Sequence, residues 1–332
     1  MNKYEVHIID KPDPGWDETL LEGETESLTL YQTTFFAGRL EELSGFRPLY
    51  LSICRGGKLL LKLLLFSCSP FHLKGSRNRF RHTALSLLSG RFGTLLWYGE
   101  PVSFSGADQA AYLCLAESVD NYARKERLKL ISGEWPIAMS PALPGHWKTR
   151  KWASFKLDLT PEPEIISAGF KHAARNRIGK ALKDGITVRR IKTIEELKTY
   201  YHFAENCAKR YEKTMYGFQD FETMWRYFRP ACIYETFVAE HQEEIIAGLS
   251  VWGYGASIAE LGSFQSERSY QEKLNGPDLV KWQIIQWAHE NKLRSFDLAG
   301  INPDPKTEKE TNIRRFKEKW GGTYYEYLSI LP

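Results

Sequence analysis

The sequence predicts a mixed α/β protein made of two tandem units of one kind, each a central mixed sheet flanked by helices. Three observations carry this expectation. Two β-prone hairpins occur, one at 48–55 with 58–67 and one at 234–239 with 245–252. Each is followed at some distance by an amphipathic helix and a further apolar strand. A cluster of Pro, Gly and basic residues at 141–150 separates the two runs.

The first hairpin turns at Gly56-Gly57, because glycine accepts the positive φ of a tight turn. A helix over 107–126 follows, with Tyr112, Leu115, Val119 and Tyr122 on one face, and a strand starts at Leu128. In the second half a helix over 194–211 precedes the hairpin, whose turn is the polar stretch Glu240-His241-Gln242-Glu243-Glu244. A third strand, 257–264, follows Gly253-Tyr254-Gly255. The matching helix spans 278–291, with Leu279, Trp282, Ile285 and Ala288 or His289 on one face, and leads to a strand at 294–298. The expected domains are 1–150 and 151–320, with the final strand 321–332 free to rejoin the first.

A chain of 332 residues, 42% hydrophobic and 14% aromatic, holds enough apolar material for two cores. The net charge of +4 implies no polyanion partner by itself, but its distribution is uneven. Residues 171–192 carry eight Lys or Arg against Asp184 alone, whereas residues 1–30 carry eight acids against Lys3 and Lys11. Five scattered cysteines in mostly apolar surroundings form neither a disulfide framework nor a metal motif and read as reduced, which with the acidic N-terminus predicts a cytoplasmic protein. The most apolar run, 59–66, is interrupted by Lys62, so any membrane association is expected to be peripheral. The histidines show no metal-ligand spacing, and no GxxxxGK[ST], HExxH or GxSxG motif occurs.

The most specific features are blocks of sequence. Ser295-Phe296-Asp297-Leu298-Ala299-Gly300-Ile301 ends a strand in Asp and Gly, and Asn312-Ile313-Arg314-Arg315-Phe316-Lys317-Glu318-Lys319-Trp320-Gly321-Gly322 follows a proline-bearing loop. Lys171-His172-Ala173-Ala174-Arg175-Asn176-Arg177-Ile178-Gly179-Lys180-Ala181 is a basic helix, followed by a turn and strand in Asp184-Gly185-Ile186-Thr187-Val188-Arg189. Together these resemble the Fem-type aminoacyltransferases, and Gln32 near Phe36 and Gly99-Glu100-Pro101 are weaker matches that extend the likeness to nearly the whole chain. The resemblance implies two acetyltransferase-like (GNAT-like) domains. It also implies transfer of an amino acid from aminoacyl-tRNA to an amine of a cell-wall or nucleotide-linked precursor, with no cofactor beyond that co-substrate.

By surface preference alone, Arg314, Arg315, Lys317 and Lys319 form a solvated basic face. The resemblance instead makes Lys317 the catalytic cation, with Phe316 packing against the donor end. Asp297 is the carboxylate best placed as a base, or as one that orients Lys317 or ties down the following loop. Arg175, Arg177 and Lys180 are candidates for phosphate contacts, Arg315 for a substrate contact, and Arg210 for a weaker substrate contact. Tyr254 and Ser263 stand at strand ends where a cleft wall forms. The family carries a basic residue two turns after the glutamine, where this chain has Leu40, so Arg39 is the candidate for precursor phosphates and acceptor identity stays open.

Two other functions remain in play. One is an acyl-CoA-dependent N-acyltransferase acting on a polysaccharide sugar or small amine. Such enzymes cradle the pyrophosphate on a Gly-rich turn at a helix N-terminus. The corresponding stretch here, Gln271-Glu272-Lys273-Leu274-Asn275-Gly276-Pro277-Asp278, has one glycine, a proline without an N–H, and an acid. The other is a binding protein that kept the fold without the chemistry.

Overall fold

A computed structural model of the chain describes residues 4–25, 27–68, 93–210 and 215–331. The chain divides into two compact units, one of residues 1–152 with 326–332 and one of residues 153–325. The first thus ends two residues beyond the expected boundary, and the return to it begins at Glu326 rather than 321.

In the first unit, β1 (Tyr4–Ile9), α1 (Trp16–Leu20) and α2 (Thr34–Ser44) precede the hairpin of β2 (Arg47–Arg55) and β3 (Lys58–Cys68). Gly56 and Gly57 turn it with φ of 58° and 74°, a conformation that costs other residues about 1 kcal/mol or more each. Then come β4 (Gly93–Trp97), β5 (Val102–Ser103), α3 (Gln109–Lys125) and β6 (Leu128–Pro136). The sheet order is β1-β2-β3-β4-β6, with β4 and β6 parallel, and Tyr327–Ile330 of the C-terminal strand pairs antiparallel with β6. Leu51, Ile53, Leu61, Leu63 and Leu65 alternate or run across β2 and β3 to meet Tyr112, Leu115 and Val119, the helix face expected.

In the second unit, the last part of β7 (Lys148–Asp158) leads to α4 (Pro163–Ala168), the basic helix α5 (His172–Lys183), β8 (Thr187–Arg190), α6 (Ile194–Arg210) and α7 (Phe218–Phe228). The hairpin of β9 (Ile233–His241) and β10 (Glu244–Tyr254) turns on Gln242-Glu243 alone, with φ of 53° and 66°. That turn is tighter than the five polar residues expected, because pairing of Glu244 with His241 carries the ladder to the turn itself. Then follow β11 (Ser257–Gln265), α8 (Glu267–Gln271), α9 (Gly276–Glu290), β12 (Ser295–Asp297), α10 (Glu308–Glu318) and β13 (Thr323–Leu331). Order within this unit is β7-β12-β11-β10-β9-β8. Phe155, Leu157, Leu249, Val251, Leu279, Ile284, Ile285, Phe296 and Trp320 share its core.

One irregularity positions the site. β11 runs parallel to β12 only over Ser257–Ala259, opposite Ser295–Asp297. A bulge on β11 then makes Val251 face Glu260 but Ser250 face Gly262. After Asp297 the chain turns toward β7, where Leu298 and Ile301 donate to the carbonyls of Phe155 and Ala153. β11 and the chain after β12 therefore part at Glu260, and α10 brings side chains to that parting.

Candidate active site

Asp297 closes β12 and organises the loop behind it. Its Oδ1 accepts from the Ala299 N–H (2.8 Å) and the Ser154 hydroxyl (2.5 Å), and its Oδ2 accepts from the Tyr325 hydroxyl (2.5 Å). The bond to Ala299 stabilises that residue at φ 63°, an uncommon conformation for alanine. The resulting bend turns two carbonyl oxygens inward, and Lys317 Nζ donates to both, Ala299 O at 2.9 Å and Gly300 O at 3.2 Å. Asp297 thus ties down the loop that holds Lys317, and three donors already occupy its two oxygens.

Lys317 stands on α10, which Thr307 and Glu310 start with a capping box. Burial holds its amine below the ordinary lysine range, opposed by the charges of Glu260 and Asp297 and reinforced by Lys281. Two ammonium groups lie over Phe316 beside it, with Lys319 Nζ 4.0 Å and Lys281 Nζ 4.8 Å from the ring centroid. Both lysines are buried, Lys281 at 1% and Lys319 at 6% exposure, and each has its own carboxylate. Lys281 pairs with Glu260 and Lys319 with Asp278. Burial pushes the Lys319 amine down to about 8 against the pull of Asp278. Surface preference alone would have put Lys319 in solvent; Trp320 and Phe316 cover it instead, and Asp278 offsets the desolvation.

The other candidates are distributed more widely. Arg175 turns back onto α4, donating to the carbonyls of Phe170 and, at 3.2 Å, Ala168, so its guanidinium caps the preceding helix. Arg177 and Lys180 on α5 and Arg315 on α10 are exposed. Arg177 is near enough to Lys319 to add to the depression of its amine. Tyr254 is half-buried at the end of β10, and Ser263 is exposed on β11. The side chain of Arg210 lies outside the described residues. Arg39 is buried on α2 of the first unit. In that unit Gln32 is a structural tie, donating to Tyr98 O (2.7 Å) and accepting from Leu64 N–H (2.6 Å).

Sequence reasoning missed Glu260, Asp278, Lys281, Ser154 and Tyr325. A signal existed for one of them. Lys281, Ile284, Ile285 and Ala288 fall at the i, i+3, i+4, i+7 spacing of a buried stripe, so a lysine stood where the pattern demands an apolar residue.

The start of α9 bears on ligand class. Pro277 lacks an N–H, and Asp278 in the first turn is held by Lys319, so a carboxylate already occupies the positive end of the helix. The same is true in the first unit, where Asp108 caps Ala111 N–H at 2.8 Å and pairs with Arg55 at 2.9 Å.

The architecture is that of proteins with two acetyltransferase-like units in tandem. FemX has this fold: it superposes with a TM-score of 0.69 at 13% identity, over 97% of this chain and 96% of its own. L-PGS from Bacillus licheniformis is similar at TM-score 0.57 and 14% identity, over 97% of this chain and 92% of its own. A tandem GNAT protein from the clavulanic acid biosynthesis pathway is similar at 0.53 and 11% identity, over 99% and 97%. The sequence matches no protein-family model and no curated protein sequence. Among the described residues no helix is long and apolar enough to cross a membrane.

Proposed function

We propose that this chain is a Fem-type aminoacyltransferase that joins an amino acid from charged tRNA to an amine of a cell-wall or nucleotide-linked precursor. In that reaction the acceptor nitrogen bonds to the ester carbonyl carbon and the carbon–oxygen bond to the tRNA ribose breaks. The proton lost by the amine ends on the departing ribose hydroxyl. The ester already carries its leaving group, so no protein nucleophile is needed, and holding amine and ester in line supplies much of the acceleration. What the protein must add is positive charge beside the developing oxyanion.

The observation that carries the reading is the setting of Lys317. Its amine is half-buried and aimed by two carbonyls that the Asp297 turn presents, with Phe316 alongside. Two of its three N–H groups are engaged, which leaves one to donate to an oxyanion. In this reading Phe316 packs against the donor end, Arg177 and Lys180 meet phosphates, Arg39 meets those of the precursor, and Arg315, Tyr254 and Ser263 contact substrate. The guanidinium of Arg175 has carbonyls to satisfy first. An acyl-CoA donor fits less well, because the pyrophosphate would meet Asp278 or Asp108 at the helix N-termini where it needs free amides.

The test is transfer of label from a radiolabelled charged tRNA pool to the low-molecular-weight precursor fraction of the host. RNase treatment and Lys317→Ala serve as controls. Transfer abolished by both supports the reading and delivers the acceptor for identification. Label that moves from an acyl-CoA instead would overturn it.

A further inference from the structure

The pair Glu260–Lys281 lies outside the residues that the proposed transfer requires, and it is expensive. Lys281 is among the largest fully buried side chains of the protein, on the inner face of α9. An unpaired ammonium there would cost several kcal/mol, and even a paired one is commonly matched or bettered by apolar residues of similar volume. Its carboxylate comes from the first residue of β11 beyond the pairing with β12, on the near side of the bulge. That is the point at which the strands part and Lys317 enters.

The charged groups facing Lys317 are therefore Glu260 from β11, Lys281 from α9 and Asp297 from the end of β12. Asp297 already accepts from Ser154, Tyr325 and Ala299. Glu260 is the dominant charge that favours an ammonium at Lys317, and Lys281 opposes it while also contacting the Phe316 ring at 4.8 Å.

We propose that Glu260 and Lys281 are positioning residues for the Lys317–Phe316 pair: Glu260 holds the Lys281 ammonium in the core, and Lys281 seats the Phe316 ring beside Lys317. This rests on the aminoacyltransferase reading for its purpose but not for its test. It accounts for an ion pair that packing alone would replace with apolar side chains.

The experiment is competitive labelling of lysines with acetic anhydride across pH on the full chain, with the Lys317 peptide quantified by mass spectrometry. Glu260→Gln leaves Lys281 uncompensated beside Lys317, so the labelling midpoint should fall by on the order of one pH unit. Lys281→Met leaves Glu260 to Lys317 alone, so the midpoint should rise. The double variant should return toward wild type. Equal shifts in both single variants, or none, would overturn the proposal, since loosened packing exposes Lys317 in both and moves it one way. If Glu260→Gln does not fold, Glu260→Asp keeps the charge and withdraws it by one methylene, and an unmoved midpoint there overturns the proposal equally. Opposed shifts in a protein that transfers nothing from charged tRNA would leave the pairing intact and remove the aminoacyltransferase reading alone.

Discussion

The two units solve the same geometric problem in opposite ways. In each, a helix crosses between two parallel strands, β4 to β6 and β11 to β12. In the first unit the region is filled by hydrocarbon. Trp97, the last residue of β4, lies against Gly133 so closely that a Cβ there would sit 1.9 Å from the indole. Its N–H is satisfied by Glu134 O at 3.0 Å, and its ring lies 6.0 Å from that of Trp147. In the second unit the corresponding region holds Glu260, Lys281 and Lys317. Apolar filling is the cheaper solution. A unit that keeps buried ions where its counterpart keeps tryptophan is being held to something other than stability, and this directs attention to the second unit for the chemistry.

That contrast can be broken at either end. The largest effect is expected from Lys317→Ala, which should lower transfer by about 10²- to 10³-fold, the usual consequence of removing one oxyanion donor. The thermal midpoint should fall by no more than a few degrees, since the variant gives up two hydrogen bonds to the carbonyls of Ala299 and Gly300 at a half-buried position; a drop of many degrees would recast Lys317 as structural. Next is Gly133→Val in the first unit. It should destabilise by about 3 kcal/mol in urea denaturation, because the indole cannot yield to new methyl groups without leaving its site. Activity per folded molecule should persist.

Smaller is Ser154→Ala, which removes one of the three donors on Asp297 and should cost about 1 kcal/mol. If the loop aims Lys317 as described, kcat should fall more than KM rises.

The smallest effect is a pH dependence. Lys319 titrates near 8 in the folded chain and higher when unfolded, so between about pH 8 and 10.5 the unfolded state binds more protons. Its contribution therefore makes stability rise with pH across that window, relative to a Lys319→Met variant. Urea midpoints of the two proteins at pH 8 and pH 10 check the sign, and no difference between them would mean that Asp278 holds the amine protonated throughout.

Legibility in the sequence followed the range of the interactions involved. The first hairpin could be read because its turn depends on two adjacent glycines, and the helix carrying Tyr112, Leu115 and Val119 because its periodicity is local. Phe316 and Lys317 were legible as part of a motif. The polar turn of the second hairpin was overestimated, since Glu240, His241 and Glu244 look like loop residues until their cross-strand partners are known. Asp297 could be read as base or loop tie, but the hydrogen bonds it accepts from Ser154 and Tyr325, far away in the chain, could not be read from the sequence.

The sequence by itself determined the order of the main elements and the repeated unit, because turn chemistry and amphipathic spacing are carried by neighbours along the chain. Only the tertiary structure decided the rest. Lys281 and Lys319 are buried rather than solvated, Glu260 and Asp278 are their partners, and Ala299 and Gly300 aim Lys317. The physical reason is that a lysine's free energy depends on desolvation and on the nearest opposite charge. Both are set by strand register and helix docking between residues distant in the chain, such as Asp278 and Lys319, 41 positions apart.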